Sequence, residues 1–140
     1  MRKTALFLFI FLILISCGKK EVKQVSQESK TSIEAFALTE TIKIAFVKND
    51  TITIQKNSTE EGYKDITANK KGFDTVELTF TPRWVEIENN QIYVNIAWKS
   101  TWITSGRRTE GRGMAVFVMD GRPLKVTKIL RSNPFVYPEE

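Results

Sequence analysis

The sequence predicts an α+β domain in which helices precede an antiparallel sheet and pack on one of its faces. Three observations predict it. From Phe73 onward, apolar and polar residues alternate with the two-residue period of half-buried strands. Asn89-Asn90 and Asp120-Gly121 sit between such runs, where two-residue turns join antiparallel strands. Ahead of Phe73, apolar residues recur at helical spacing behind residues suited to N-caps.

The chain opens on a segment of another kind. Arg2 and Lys3 form a basic start, and Ala5 to Ile15 an unbroken run of eleven apolar residues. A helix spanning a bilayer needs roughly 20 residues, so the run matches the apolar centre of a secretory signal instead. It ends in Leu14-Ile15-Ser16-Cys17, which resembles the lipobox of bacterial lipoprotein signals. In such signals the cysteine receives a diacylglycerol and becomes the new N-terminus. Cys17 is the single cysteine of the chain, as suits an exported protein. Residues 1–17 are therefore expected to be a lipoprotein signal peptide. Lipidation of Cys17 would hold the chain to a membrane of the bacterial cell envelope, periplasmic or surface-facing. Residues 18–30 (GKKEVKQVSQESK) are polar, lack aromatics and read as a flexible tether. Residues 31–140 form the domain.

Within the domain, Ser32 is the expected cap of a first helix, with Ile33, Phe36, Ala37 and Glu40 at helical spacing into the low forties. Asp50 to Gln55 alternates as a short strand. Thr59-Glu60-Glu61 starts a second helix with acids in its first turn, running to about Lys71 and ended by Gly72. Val76, Leu78 and Phe80 then alternate as a strand. After Pro82 the apolar positions become Val85 and Ile87, a flip of parity that a β-bulge produces. A turn at Asn89-Asn90 places Ile87 opposite Ile92 and Val85 opposite Val94, so the apolar residues meet on one face. That strand continues through Ile96, Trp98 and Trp102 to Thr104. Ser105 to Arg108 reads as a polar loop and Gly111 to Met119 as a third strand. Leu124 to Leu130 closes the sheet, with Phe117 opposite Leu124 and Ala115 opposite Val126.

The C-terminal half resembles the NTF2-like superfamily in its SnoaL-like branch. Ala97-Trp98, Gly106, Gly113-Met114, Val116-Phe117, Asp120-Gly121-Arg122 and Ser132 stand, in order, where those domains carry their strand and turn motifs. Upstream, EEGYKDI resembles the short helix of the family, and the likeness covers roughly residues 50–132. The resemblance implies a curved antiparallel sheet wrapped around N-terminal helices as a cone with an interior pocket. It also implies dimerisation through the outer sheet face in many members. The closing strand of the family often carries histidines; Lys128 and Leu130 occupy the matching positions here.

Composition removes several functions. The chain has 21 Lys+Arg against 16 Asp+Glu, a formal charge of +5, and no histidine. Without histidine there is no Ser-His-Asp triad, no imidazole metal ligand and no imidazole pH switch. One cysteine allows no intrachain disulfide and no thiolate zinc cluster. The basic residues are dispersed, with no dense tract interleaved with aromatics, so nucleic acid is not an expected partner. No phosphate loop, dinucleotide fingerprint or nucleophile elbow is present, and no cofactor, metal or catalytic residue is expected.

The remaining candidates each admit two readings. Trp98 and Trp102 share strand parity with Ile92, Val94 and Ile96. They either line an apolar ligand pocket with Met114 and Val116 or fill the core between sheet and helix. Lys128 is either a buried amine at the closed end of that pocket or a basic residue on an outer face. Trp84, opposite in parity to Val85, is either a dimer contact or an exposed edge aromatic. Asp74, Glu77, Glu86, Glu88, Glu110 and Asp120 read as solvated or turn carboxylates. Arg107, Arg108 and Arg112 around Glu110 form either an anion fork or a salt-bridged surface. The expected function is a lipid-anchored envelope protein binding a small apolar ligand or a protein partner. The alternatives are a SnoaL-like hydro-lyase or isomerase acting through a pocket carboxylate or Lys128, and a structural or immunity-type envelope lipoprotein.

Overall fold

A computed structural model describes residues 24–68 and 72–138. The signal peptide, Cys17 and residues 18–23 of the tether lie outside these residues. Three helices come first: α1 (Gln27–Val47), α2 (Thr51–Lys56) and α3 (Glu60–Thr67). Four strands follow: β1 (Thr75–Glu88), β2 (Gln91–Thr104), β3 (Arg107–Asp120) and β4 (Lys125–Arg131). They form one antiparallel sheet in the order β1-β2-β3-β4. The α+β architecture, with helices gathered on one sheet face, is the one the sequence predicts. Among the described residues no helix is long and apolar enough to cross a membrane.

Helix α1 starts earlier than expected. Its cap is Ser26, whose hydroxyl accepts from the Ser29 amide at 3.1 Å. Residues 27–30 are thus helical rather than tether, and Ser32 lies inside the helix, donating its hydroxyl to the Glu28 carbonyl. The buried stripe is Thr31, Ala35, Thr39, Ile42 and Phe46, not the row through Ile33, which is 65 % exposed. Small residues at 31, 35 and 39 let the helix backbone come close to the sheet; a stripe chosen by hydrophobicity alone misses them.

The short strand expected at Asp50–Gln55 is helix α2. Asp50 caps it, accepting from the Thr53 hydroxyl at 2.6 Å and the Thr53 amide at 3.0 Å. These two bonds hold the Asp50 carboxyl below its usual pKa. Four alternating Thr and Ile residues at 51–54 fit either period, and the aspartate cap decides for helix. Helix α3 begins as expected, with Thr59 accepting from the Gly62 amide at 3.2 Å. It ends at Thr67, short of the expected Lys71, and residues 69–71 lie outside those described.

The first hairpin follows the sequence closely. Asn89 and Asn90 both take positive φ, 50° and 64°, and Ile87 pairs with Ile92, Val85 with Val94. The register shifts between Pro82 and Trp84, the bulge that the parity flip implied. The polar loop at residues 105–108 narrows to Ser105-Gly106, so Arg107 and Arg108 already belong to β3. The last hairpin differs. Gly121 to Leu124 form a longer loop, with a cis peptide at Arg122-Pro123, and the register shifts between Val118 and Met119. Phe117 therefore pairs with Ile129 rather than Leu124, and Ala115 with Arg131 rather than Val126. Pro123 has no amide to donate, so the ladder begins only beyond it.

The β4 edge is covered. The Thr59 amide donates to the Val126 carbonyl at 2.9 Å, and the Val126 amide to the Asn57 carbonyl at 3.0 Å. The Asp65 carboxylate takes the Ile129 amide at 2.9 Å. The approach depends on Gly62, where a Cβ would meet the Val126 carbonyl oxygen. Gly62→Ala should cost about 1–3 kcal/mol, as overpacking against an immobile group does, read as a lowered denaturation midpoint. The β1 edge has no strand beside it.

Candidate functional site

The two faces of the sheet carry different chemistry, and hairpin geometry assigns each residue to one of them. A two-residue turn pairs Thr104 with Arg107, so even positions of β2 lie opposite odd positions of β3. Trp98 pairs with Gly113 and Trp102 with Thr109, while Met114 pairs with Ala97 and Val116 with Asn95. Trp98 and Trp102 therefore face the helices. Met114 and Val116 face outward, as does Lys128, the partner of Val118. By register the five residues expected to line one pocket are divided between opposite faces, and Lys128 is exposed, although Trp98 and Met114 both border a groove on the outer face.

The inner face is filled. Trp102, Phe117, Phe135, Ile42, Ile54, Ile66 and Ile96 are each less than 2 % exposed. Phe135 comes from the segment after β4 and enters between sheet and helix. Its ring lies 4.8 Å from Phe46, 6.0 Å from Phe117 and 6.1 Å from Phe80. Trp102 packs edge-on to Phe73 at 4.9 Å and to Tyr137 at 5.5 Å. Of the two readings of the tryptophans, the core reading holds. Trp98 lies over the glycines of β3: a Cβ at Gly113 would stand 2.9 Å from its ring, and its indole donates to the Ser132 carbonyl at 2.9 Å. The C-terminal segment was not singled out in the sequence, although Pro134-Phe135 after a closing strand is an apolar signal.

One row of the interior has unused hydrogen-bonding capacity. Ser100 Oγ, Trp102 Nε1 and Thr104 Oγ1, successive inward positions of β2, are buried without a partner among the described residues. Buried donors left unpaired are uncommon in folded proteins. The expected acid and base candidates Asp74, Glu77, Glu86, Glu88, Glu110 and Asp120 are exposed. Glu110 is held by Arg108 at 2.7 Å, so part of the arginine cluster is a surface ion pair. Among the described residues no group of acidic side chains is arranged to hold a metal.

The outer face is mixed. Val116 and Val118 are buried there without belonging to the inner core. In register Val116 lies between Asn95 and Leu130, and Val118 between Tyr93 and Lys128. Trp84 pairs with Asn95 in the same row. Trp84 is 46 % and Leu130 36 % exposed. Toward the other end of the face the row changes to Thr79, Lys99 and Arg112, around a groove of about 600 Å³.

No family model and no curated protein matches the chain. Among solved structures it is similar to a nuclear transport factor 2 (NTF2-like) superfamily protein from Salmonella enterica serovar Typhimurium strain LT2. The TM-score is 0.65 at 14% sequence identity, over 76% of this chain and 93% of that one. The fold is NTF2-like. The curved sheet wrapped on helices that the resemblance implied is present, and its cone is occupied by aromatic side chains. Phe135→Ala would open the cone and should cost about 3–5 kcal/mol, the range for a buried phenylalanine, measured by denaturant unfolding.

Proposed function

We propose that the chain is a lipid-anchored cell-envelope protein whose NTF2-like domain works by binding rather than catalysis. A second copy of the chain docks on the outer sheet face. The observation that carries this is the contrast between the faces: the inner one is closed by Phe135, Trp102 and Phe117, while the outer one presents Trp84 and Leu130 beside buried Val116 and Val118. An isologous pair matches one patch to itself, and the resemblance implies dimers through this face. The catalytic alternative needs an interior carboxylate or amine, whereas Lys128 and the six carboxylates named for it are exposed. The small-ligand reading needs an open cone, whereas aromatic rings occupy it. The anchoring reading rests on Leu14-Ile15-Ser16-Cys17.

Each part has its own test. In sedimentation equilibrium of the full chain in a neutral detergent, Trp84→Glu with Leu130→Glu should weaken the dimer about 30-fold or more, the loss when a central anchor of about 2 kcal/mol is removed. A wild-type chain that stays monomeric at every concentration rules out the dimer. For anchoring, the mature protein should carry the mass of a diacylglycerol on Cys17, and Cys17→Ser should move it to the soluble fraction. An unmodified Cys17 in the exported protein rules out the anchor.

A further inference from the structure

We propose that the groove on the outer face at Thr79, Lys99 and Arg112 is a binding site for a small organic oxyanion, a carboxylate or phosphate head on a short apolar body. Lys99 and Arg112 are directly opposed in the β2–β3 register. Like charges in that position destabilise a sheet. Neither side chain forms a hydrogen bond or ion pair with any of the described residues: in the neighbouring row Glu77 and Glu110 flank Thr101, Glu110 is committed to Arg108, and Glu77 makes no ion pair with Lys99. A local rule broken without compensation marks a place shaped by something other than folding.

The surroundings suit an anion with an apolar portion. Thr79 stands across from Lys99 on β1, adding a hydroxyl at the head position. Arg83, the residue skipped by the bulge, lines the same groove and also has no partner among the described residues. Without the bulge the register would run on unbroken past Pro82. In the next row, Ala97 and Met114 oppose each other and give an apolar floor leading away from the charges. The Arg112 guanidinium can grip two oxygens of one head in a fork while Lys99 supplies a compact charge. A second depression of about 370 Å³ lies beyond the pair, lined by Lys99 and Arg112 and bordered by the Glu110 carboxylate. In the first groove the charged lining is Arg83, Lys99 and Arg112 alone, and single-sign charge over low-dielectric walls concentrates anions.

This site goes beyond the docking surface and rests on different side chains. The test is calorimetric titration of the full chain, in a neutral detergent at low salt, with hexyl phosphate, hexanoate and inorganic phosphate, and with hexanol as the uncharged control. Hexyl phosphate or hexanoate should bind at least tenfold more tightly than hexanol, and the tighter of the two names the head. Lys99→Ala with Arg112→Ala should weaken that binding at least tenfold, while Trp84→Glu with Leu130→Glu should leave it intact. The two proposals therefore fail separately. Lys99→Glu gives a readout that a merely structural pair would not. It should abolish anion binding yet raise the melting temperature by roughly 1–5 °C, since an attractive cross-strand pair replaces a repulsive one. Undiminished binding in the double alanine variant, equal affinity for hexanol, or a lowered melting temperature for Lys99→Glu would each overturn the proposal.

Discussion

Everything in this molecule is arranged around one ring. Phe135 lies at the junction of sheet and helix, within 4.8 Å of Phe46 on α1 and about equally far from Phe80 on β1 and Phe117 on β3 at 6.1 and 6.0 Å. These distances and tilted orientations are those of favourable aromatic pairs. A four-stranded sheet closing on only one long helix leaves a hollow that its own side chains do not reach across. The chain fills that hollow with the segment after β4, which gives the sheet a solid interior. The glycines of β3 serve the same end, since side chains at Gly111 and Gly113 would exclude Trp98, Ser132 and Pro138 from the space they share.

The opposite face of the sheet is different. There the strands carry a gradient: tryptophan, leucine and valine at one end, threonine and unpaired cations at the other. Neither the fold nor the core needs this pattern, because the inner face already supplies the burial that holds the sheet to its helices. Side chains on a face that folding leaves free are set by what meets it.

The parts of this arrangement that could be read from the sequence are those fixed by local chemistry. Asn89 and Asn90 tolerate the positive φ of a tight turn, and with the turn placed, the pairing of Ile87 with Ile92 follows by counting. The bulge announced itself as a change of parity at Pro82. The errors have equally local causes. Alternating Thr and Ile at 51–54 satisfied two periods, and a single aspartate cap outweighed the alternation. The small-residue stripe of α1 is invisible to a hydrophobicity count. The longer loop at residues 121–124 and the shift at Val118 moved β4 out of its expected register. The expected pocket divides for a reason of arithmetic: a two-residue turn exchanges odd and even, so Met114 and Val116 pair on the face opposite Trp98 and Trp102, and Trp98 and Met114 meet along the outer groove. The opposition of Lys99 and Arg112 needed the structure: counted across the polar loop read at residues 105–108, Lys99 would stand opposite Met114, and narrowing that loop to Ser105-Gly106 moves the register by two residues.

The borders of the sheet limit how it can be joined. On one side the chain between α2 and α3 occupies the hydrogen bonds of β4 through Asn57 and Thr59. On the other, β1 is interrupted by Pro82 and a bulge, and carries Glu77, Arg83, Glu86 and Glu88 exposed along its length. Proline, bulges and charge are the devices that keep an open strand from recruiting another. Sideways extension into a continuous ribbon, the route by which open sheets grow into fibres, is therefore disfavoured at both edges.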